Sequence, residues 1–319
     1  MARPRDQIGG LTHAQRDRRA VADALVGAGL SEAVTIPLVA PDDLERAGAP
    51  LDRLVEAANP LRAEESVLRT RILPGLLRSV AHNQARGLAD VGLFEVGRVF
   101  LAPSAGAVLP EEPTHLAVVR SGTIQRQPVE ADRPVDAFDA VDAIRAVLDA
   151  LEIAVGRTEA ADHAGFGPGR AAAVVVDEHE IGVVGELDDA LLRSLELVPP
   201  VVGFELDLDQ LFEARRRDRM FRPPSPYPPS TIDLAFVVAD EVAAGEIVAT
   251  LRAAAGDLLE DVRLFDVFRS EALEVGRKSL AYALRFRAPD HTLTDDEVGE
   301  VRRRCIDAVA RAHGAELRG

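Results

Sequence analysis

From about residue 225 onward the chain switches between two periodicities in a fixed order. Thr231–Val238 (TIDLAFVV), Asp261–Arg269 (DVRLFDVFR) and Ser279–Ala288 (SLAYALRFRA) alternate with the period of a half-buried strand, and a short fourth strand is expected near Ala315–Arg318. Ala243–Ala255 and Thr294–His313 carry helical spacing. Strand, helix, strand, strand, helix, strand is the split βαβ, or ferredoxin-like, order.

The alternation separates two faces. Leu280, Tyr282, Leu284 and Phe286 point toward the helices, as do Ile232, Leu234, Phe236 and Val238. Thr231, Asp233, Ala235, Ser279, Ala281, Ala283, Arg285 and Arg287 are left on the open side, and Asp266 and Phe268 share one face of the second strand. An open face with small residues, an aromatic ring, carboxylates and arginines suits unstacked RNA bases. Small residues let a base approach, a ring or guanidinium stacks on it, and Asp or Ser reads its edge. The candidate RNA contacts are Asp233, Asp266, Phe268, Arg269, Lys278, Ser279, Arg285 and Arg287.

LFDVFR followed by GRKSLAYALRFRAPDHTLTDDEV closely resembles the anticodon-binding domain that ends the β subunit of bacterial phenylalanyl-tRNA synthetase. An upstream block is similar to the catalytic-like domain of the same subunit. It contains Leu68-Arg69-Thr70, Leu73-Pro74-Gly75-Leu76-Leu77, Asn83 and Phe94-Glu95-Val96-Gly97-Arg98. The two resemblances follow the family's order along nearly the whole chain.

In that upstream part, Thr12 can cap a helix running to Gly29, with a stripe of Ala14, Val21, Ala24, Leu25 and Ala28. A strand with Pro37 follows at Ala33–Val39. Helix then Pro-containing strand is the layout of motif one in class II aminoacyl-tRNA synthetases, which implies a subunit interface with Val21 and Leu25 as apolar anchors. Pro74 opens a second helix that buries Leu76, Leu77, Val80 and Ala81, and a strand is expected over Gly92–Leu101. Further strands are expected at His115–Arg120, Ala171–Val176, Ile181–Leu187 and Val201–Leu208, with a helix over Asp136–Leu151.

The resemblance implies no catalysis on this chain. Class II adenylation uses an arginine and an acid on the motif-two strand, and a motif-three arginine opening a late helix, to stabilise developing charge. Phe94-Glu95-Val96-Gly97-Arg98 has other residues at that spacing. Gly165-Phe166-Gly167-Pro168-Gly169-Arg170 lacks the Gly-Lys-Ser/Thr of a P-loop and reads as a tight turn before the Ala171 strand. None of the seven histidines stands at metal-ligand spacing. Cys305 is in phase with Val298, Val301, Val309 and Ala312, which makes it a helix-face residue. No catalytic residue and no metal ligand is assigned. Arg215–Arg217 and Arg302–Arg304 read as solvated clusters, the former with some claim to RNA because it adjoins the candidate RNA domain.

Net charge is −16, which counts against a non-specific nucleic-acid binder. RNA binding would depend on a few local arginines and be salt-sensitive. A single cysteine, no apolar run of membrane length and no secretory leader fit a cytoplasmic location.

The expected fold class is α+β: a class II synthetase-like antiparallel sheet domain (residues 11–212) after a polar lead-in (1–10), then a linker (213–224) and a ferredoxin-like domain (225–319). By resemblance, the partners are the catalytic α subunit, in an assembly with two of each subunit, and tRNA for phenylalanine. ATP and magnesium would belong to the α subunit, no cofactor to this chain, and neither DNA nor membrane is expected. The family's N-terminal tRNA-binding and editing domains are absent from this sequence, which therefore corresponds to the C-terminal part of a β subunit. The competing class is a stand-alone RNA- or protein-interaction module that has kept the fold without the ligase partnership. An independent class II-like enzyme is the third.

Overall fold

The computed structural model describes residues 9–104, 106–124, 131–153, 156–217, 225–270 and 273–318. Most of the expected lead-in, and 218–224 of the expected linker, lie outside the described residues. The chain forms two compact units, residues 1–218 and 219–319.

The first unit begins with α1 (His13–Gly27), closed by a reciprocal capping box between Thr12 and Gln15. Next come β1 (Ser31–Glu32), β2 (Leu38–Val39), α2 (Pro41–Arg46), β3 (Val67–Leu68), α3 (Leu73–Gln84), β4 (Val91–Arg98) and β5 (Thr114–Ser121). The rest is β6 (Thr123–Ile124), β7 (Arg133–Pro134), α4 (Ala137–Ala150), β8 (Gly156–Ala160), β9 (Phe166–Val176), β10 (His179–Leu187), α5 (Asp189–Ser194), β11 (Val201–Asp207) and α6 (Leu208–Glu213). Seven strands build one sheet in the order β1-β4-β5-β11-β10-β9-β8. Its ladders are antiparallel except β1 with β4.

Both faces of this sheet are covered. Phe94, Val96, Leu116, Val118, Val202, Phe204 and Leu206 pack against α1, α4 and α6. Ala117, Val119 and Val183 on the other face meet Leu73, Leu76, Leu77 and Val80 of α3, with Leu191 and Leu192 of α5. An open depression of about 260 Å³ lies at α1 and β1, lined by Leu11, Gln15, Arg18, Arg19, Ala22 and Glu32. The void beside Asp43 and Arg78 measures only about 10 Å³.

Two buried carboxylates anchor α3 and the segments that lead into it. Glu205 of β11 accepts from the Ile72 and Leu73 amides at 3.0 and 3.1 Å, so it caps a helix that has no capping side chain of its own. His115 Nδ1 lies 2.9 Å and Arg71 Nε 3.6 Å from the same carboxylate. Glu95 of β4 accepts from Arg69 Nη1 and from the Thr35 hydroxyl, each at 2.7 Å. Gly97, two residues along, leaves room for the Arg69 guanidinium, since a Cβ there would come within 2.3 Å of it.

Two expectations need correction here. Ala33–Val39 is not one strand. The Thr35 amide is spent on Glu95 and Pro37 has no N–H, so the chain pairs with β4 first and then leaves it to pair with β3. The Gly165–Arg170 segment is not a turn ahead of a strand. Only Gly165, at φ +88°, lies in a turn; Phe166 already begins β9, where 167–170 bulge out opposite Glu186 with Gly169 at φ +66°. Arg170 is held there by Glu186 and Asp189. The Arg215–Arg217 cluster is exposed, as expected of a solvated cluster, and Arg216 and Arg217 pair with Asp17 and Asp149 of the first unit.

The second unit is β12 (Ser230–Ala239), α7 (Ala244–Ala255), β13 (Leu259–Phe268), β14 (Arg277–Phe286), α8 (Asp295–His313) and β15 (Glu316–Arg318). The sheet order is β13-β14-β12-β15. Thr294 caps α8 with Glu297, and Gly314 ends it in the left-handed region at φ +60°. Leu234, Phe236, Val238, Leu280, Tyr282, Leu284 and Phe286 form one core with Ile247, Leu251, Val301, Cys305 and Val309 of the two helices.

Burial alone would raise the pKa of Glu205. The hydrogen bond from His115, the charges of Arg71 and His115, and the Ile72 amide outweigh it and hold the group at about 2. A carboxyl group in the unfolded chain titrates near ~4.3. Its folded pKa is depressed, so this stabilisation is complete above pH ~4.3 and is lost as pH falls toward 2. Glu205→Gln is expected to destabilise the first unit by roughly 3–5 kcal/mol at pH 7, because it leaves Arg71 without its buried partner. It should also flatten the fall in melting temperature between pH 4.5 and 2.5. Wild type and variant with parallel acid profiles would contradict this.

Candidate nucleic-acid interface

Both helices of the second unit pack on one face of its sheet, leaving the other face to solvent. Register fixes what that face presents. Phe268 pairs with Ser279, which pairs with Val237 and then Glu316. The next row is Asp266, Ala281, Ala235 and Arg318. Below it lie Arg263, Ala283 and Asp233, and then Asp261, Arg285 and Thr231. The alanines form a shallow floor, flanked by ring, carboxylates and guanidinium groups.

Strand β13 is irregular at two points. Leu264 pairs with Tyr282 and Asp266 with Ala281, so Phe265 is an extra residue; Glu260 is likewise extra between Leu259 and Asp261. The Phe265 bulge reverses the parity of the strand. Asp266 and Phe268 are on the open face as expected, but beyond the bulge the open positions become Arg263 and Asp261. Arg263 is exposed and forms no ion pair or hydrogen bond among the described residues. Strict alternation from Phe268 would have turned it to the helices. The sequence cue that could have placed it is the apolar Leu264-Phe265 pair, which breaks the alternation.

The expected contacts divide into three groups. Asp233, Asp266 and Phe268 are exposed on the open face. The Phe268 ring carries the Arg318 guanidinium 4.8 Å from its centroid, a cation–π contact reaching across β12 and β14. Ser279 is on that face but only 3% exposed, between Phe268 and Val237.

Arg285 and Arg287 are on this side too, but both are engaged. Glu260 lies 2.5 Å from Arg285 Nε and 3.0 Å from Arg287 Nε. Arg287 also donates to the carbonyls of Ser225 and Tyr227, at 3.1 and 2.9 Å, and so fastens the entry segment of the unit.

Lys278 and Arg269 fall away from the floor. Lys278 has the parity of Leu280 and Tyr282, lies buried on the helix face, and donates to the Asp240 carbonyl at 2.6 Å. Its place among the expected RNA contacts is therefore a correction: period two turns it inward. Arg269 lies just past β13, exposed, with its Nε 3.4 Å from Asp240.

The expected interface anchors also need correction. Val21 and Leu25 have no exposed surface and sit in the first unit's own core with Phe94, Leu116 and Phe204. The stripe of α1 faces its own sheet. Exposed apolar side chains lie instead on the segment after β1, where Val34 is 90% and Ile36 67% exposed, beside the edge strand of the sheet.

Among the described residues no cluster of His, Cys, Asp and Glu could hold a metal, and no helix is long and apolar enough to cross a membrane. Cys305 is buried.

Comparison with known proteins places these features in a family. Residues 2–208 match the model of the phenylalanyl tRNA synthetase beta chain CLM domain, and residues 225–318 match that of the ferredoxin-fold anticodon binding domain. The phenylalanine–tRNA ligase beta subunit of Streptomyces avermitilis is 39% identical over 97% of this chain and 41% of its own length. That of Bacillus thuringiensis subsp. konkukian is 38% identical over 97% and 39%. The chain thus spans about two-fifths of the length of these relatives. A solved pyrrolysyl-tRNA synthetase from Desulfitobacterium hafniense is 20% identical and covers 61% of this chain and 67% of its own, at a TM-score of 0.49. With both units matched in order, and by relatives that align along nearly all of it, the chain belongs to the phenylalanyl-tRNA synthetase β-chain family.

Proposed function

We propose that this chain is the scaffold and anticodon-binding part of a phenylalanine–tRNA ligase. In this reading the second unit holds the anticodon region of tRNA for phenylalanine. The first unit supports a catalytic α subunit, two of each chain forming the assembly, in the cytoplasm. ATP and magnesium are handled by that partner.

The observation that carries the reading is the open face of the β13-β14-β12-β15 sheet. It combines an exposed ring, Phe268, with an alanine floor and, among the described residues, the free carboxylates of Asp233 and Asp266 and the unengaged guanidinium of Arg263. A base can stack on Phe268 over Ala281 and Ala283. Asp233 or Asp266 can accept from an exocyclic amino group, and Arg263 can meet a phosphate or a base plane. The first unit supports a non-catalytic role, because α3 and α5 fill the sheet face opposite α1 and α4.

Binding of tRNA for phenylalanine at several salt concentrations, with a matched and an anticodon-swapped transcript, tests the reading. Stacking contributes ~1–3 kcal/mol per base, so Phe268→Ala is expected to weaken binding roughly tenfold. Arg263→Ala should flatten the salt dependence by about 0.9 of a unit of slope if its contact is a phosphate. Asp233→Ala should bring the matched and swapped transcripts closer in affinity, because an edge contact carries sequence information. Wild-type behaviour in all three variants would remove the open face from RNA recognition.

Subunit capture gives a separate test. Apolar side chains next to a sheet edge favour association. Val34→Asp combined with Ile36→Asp is expected to abolish co-purification with the α subunit while the melting temperature stays unchanged. Val21→Asp should instead unfold the first unit, since burying a Val or Leu is worth ~1.5–3 kcal/mol and an unpaired buried carboxylate costs more. Undiminished capture by the double variant would place the interface elsewhere.

A further inference from the structure

The bulge at Glu260 places an extra residue in β13. In regular alternation, a residue between the buried-face Leu259 and the open-face Asp261 has no place of its own. The extra residue re-aims its side chain, as bulges beside binding sites do. The Glu260 carboxylate meets Arg285 at 2.5 Å and Arg287 at 3.0 Å, at one end of the alanine floor.

Arg285 thereby already holds an anion of the kind an RNA backbone would offer. Two carboxylate oxygens on two guanidinium groups match the way a phosphate is gripped. The two arginines are not equivalent. Arg287 is largely enclosed and tied to the Ser225 and Tyr227 carbonyls, whereas the Arg285 side chain is 47% exposed and has no other partner among the described residues.

We propose that Glu260 is a built-in stand-in for an RNA phosphate, masking Arg285 in the free chain and yielding it when RNA binds; the proposal builds on the RNA-binding reading above. Exchange of one anion for another at Arg285 makes the net gain from that phosphate small. It limits binding by stray polyanions, and it leaves Arg263 as the cation that meets RNA without displacing anything. Because a phosphate contact carries no base information, the mask acts equally on every anticodon.

The test is a double-mutant cycle on the full 319-residue chain, read by binding of phenylalanine tRNA and an anticodon-swapped transcript. Glu260→Gln is expected to tighten binding of both transcripts by the same factor, about threefold for a partly exposed ion pair. The gain should vanish in an Arg285→Ala background. Glu260→Asp keeps the net charge but withdraws the carboxylate by one methylene, and is expected to give part of the gain. That arm separates unmasking from bulk charge, and it carries the test if loss of the Arg287 contact unfolds the glutamine variant, as a melting curve would reveal. Equal gains with and without Arg285, or no gain in a folded variant, overturn the role of Glu260 while leaving RNA binding intact. If neither wild type nor any variant binds tRNA, the RNA reading falls and this proposal with it.

Discussion

Two helices packed on one side of a four-stranded sheet leave the other side without a hydrophobic partner, and the second unit is organised around that asymmetry. Its buried face collects Leu, Phe, Tyr and Val into one core with α7 and α8. Its bare face cannot carry the same side chains without exposing a large apolar patch. The centre is instead alanine, and the margins are charged or aromatic. A surface that is flat, low in the middle and polar at the edges accepts a planar base, which is why the same constraint that shapes the fold also shapes the site. The first unit shows the opposite case. Helices cover both faces of its larger sheet, and buried carboxylates at Glu95 and Glu205 lock the second layer in place.

The strands and helices of the second unit were legible because period two and period 3.6 are strong local signals. Val238, Tyr282 and Leu284 lie on the face that alternation assigns them. The site was less legible, for a specific reason. A bulge adds one residue and inverts every position beyond it, so alternation read from Phe268 misplaces Arg263 although it places Asp266 correctly. Lys278 shows the reverse failure: the strand is regular there, and its parity already pointed inward.

Non-local pairings explain the remaining differences. Glu205 caps a helix 133 residues earlier in the chain, a partnership that no window of sequence can reveal. The stripe of α1 is apolar in the sequence, but periodicity says only that a face is buried and not what buries it. Val21 and Leu25 are buried by their own sheet. The exposure of Val34 and Ile36 is not legible in the sequence, because a segment with Pro37 reads as an ordinary strand.

Electrostatics fits a selective rather than a strong binder. The chain carries a net charge of −16, and on the open face Arg285 is met by Glu260. Arg318 lies over Phe268, so ring and guanidinium are already in contact in the free chain. On the proposed RNA-binding reading, association comes from several modest contacts made together, with salt dependence as its mark.

The claim that the open sheet face meets RNA is tested most directly by amide and arginine side-chain NMR of the intact, isotopically labelled chain titrated with an anticodon stem-loop. The account expects the largest shifts at Phe268, Asp266, Arg263, Ala281, Ala283 and Asp233, with α7 and α8 nearly silent. Shifts confined to the exposed sides of α7 and α8, or to the first unit, would contradict it.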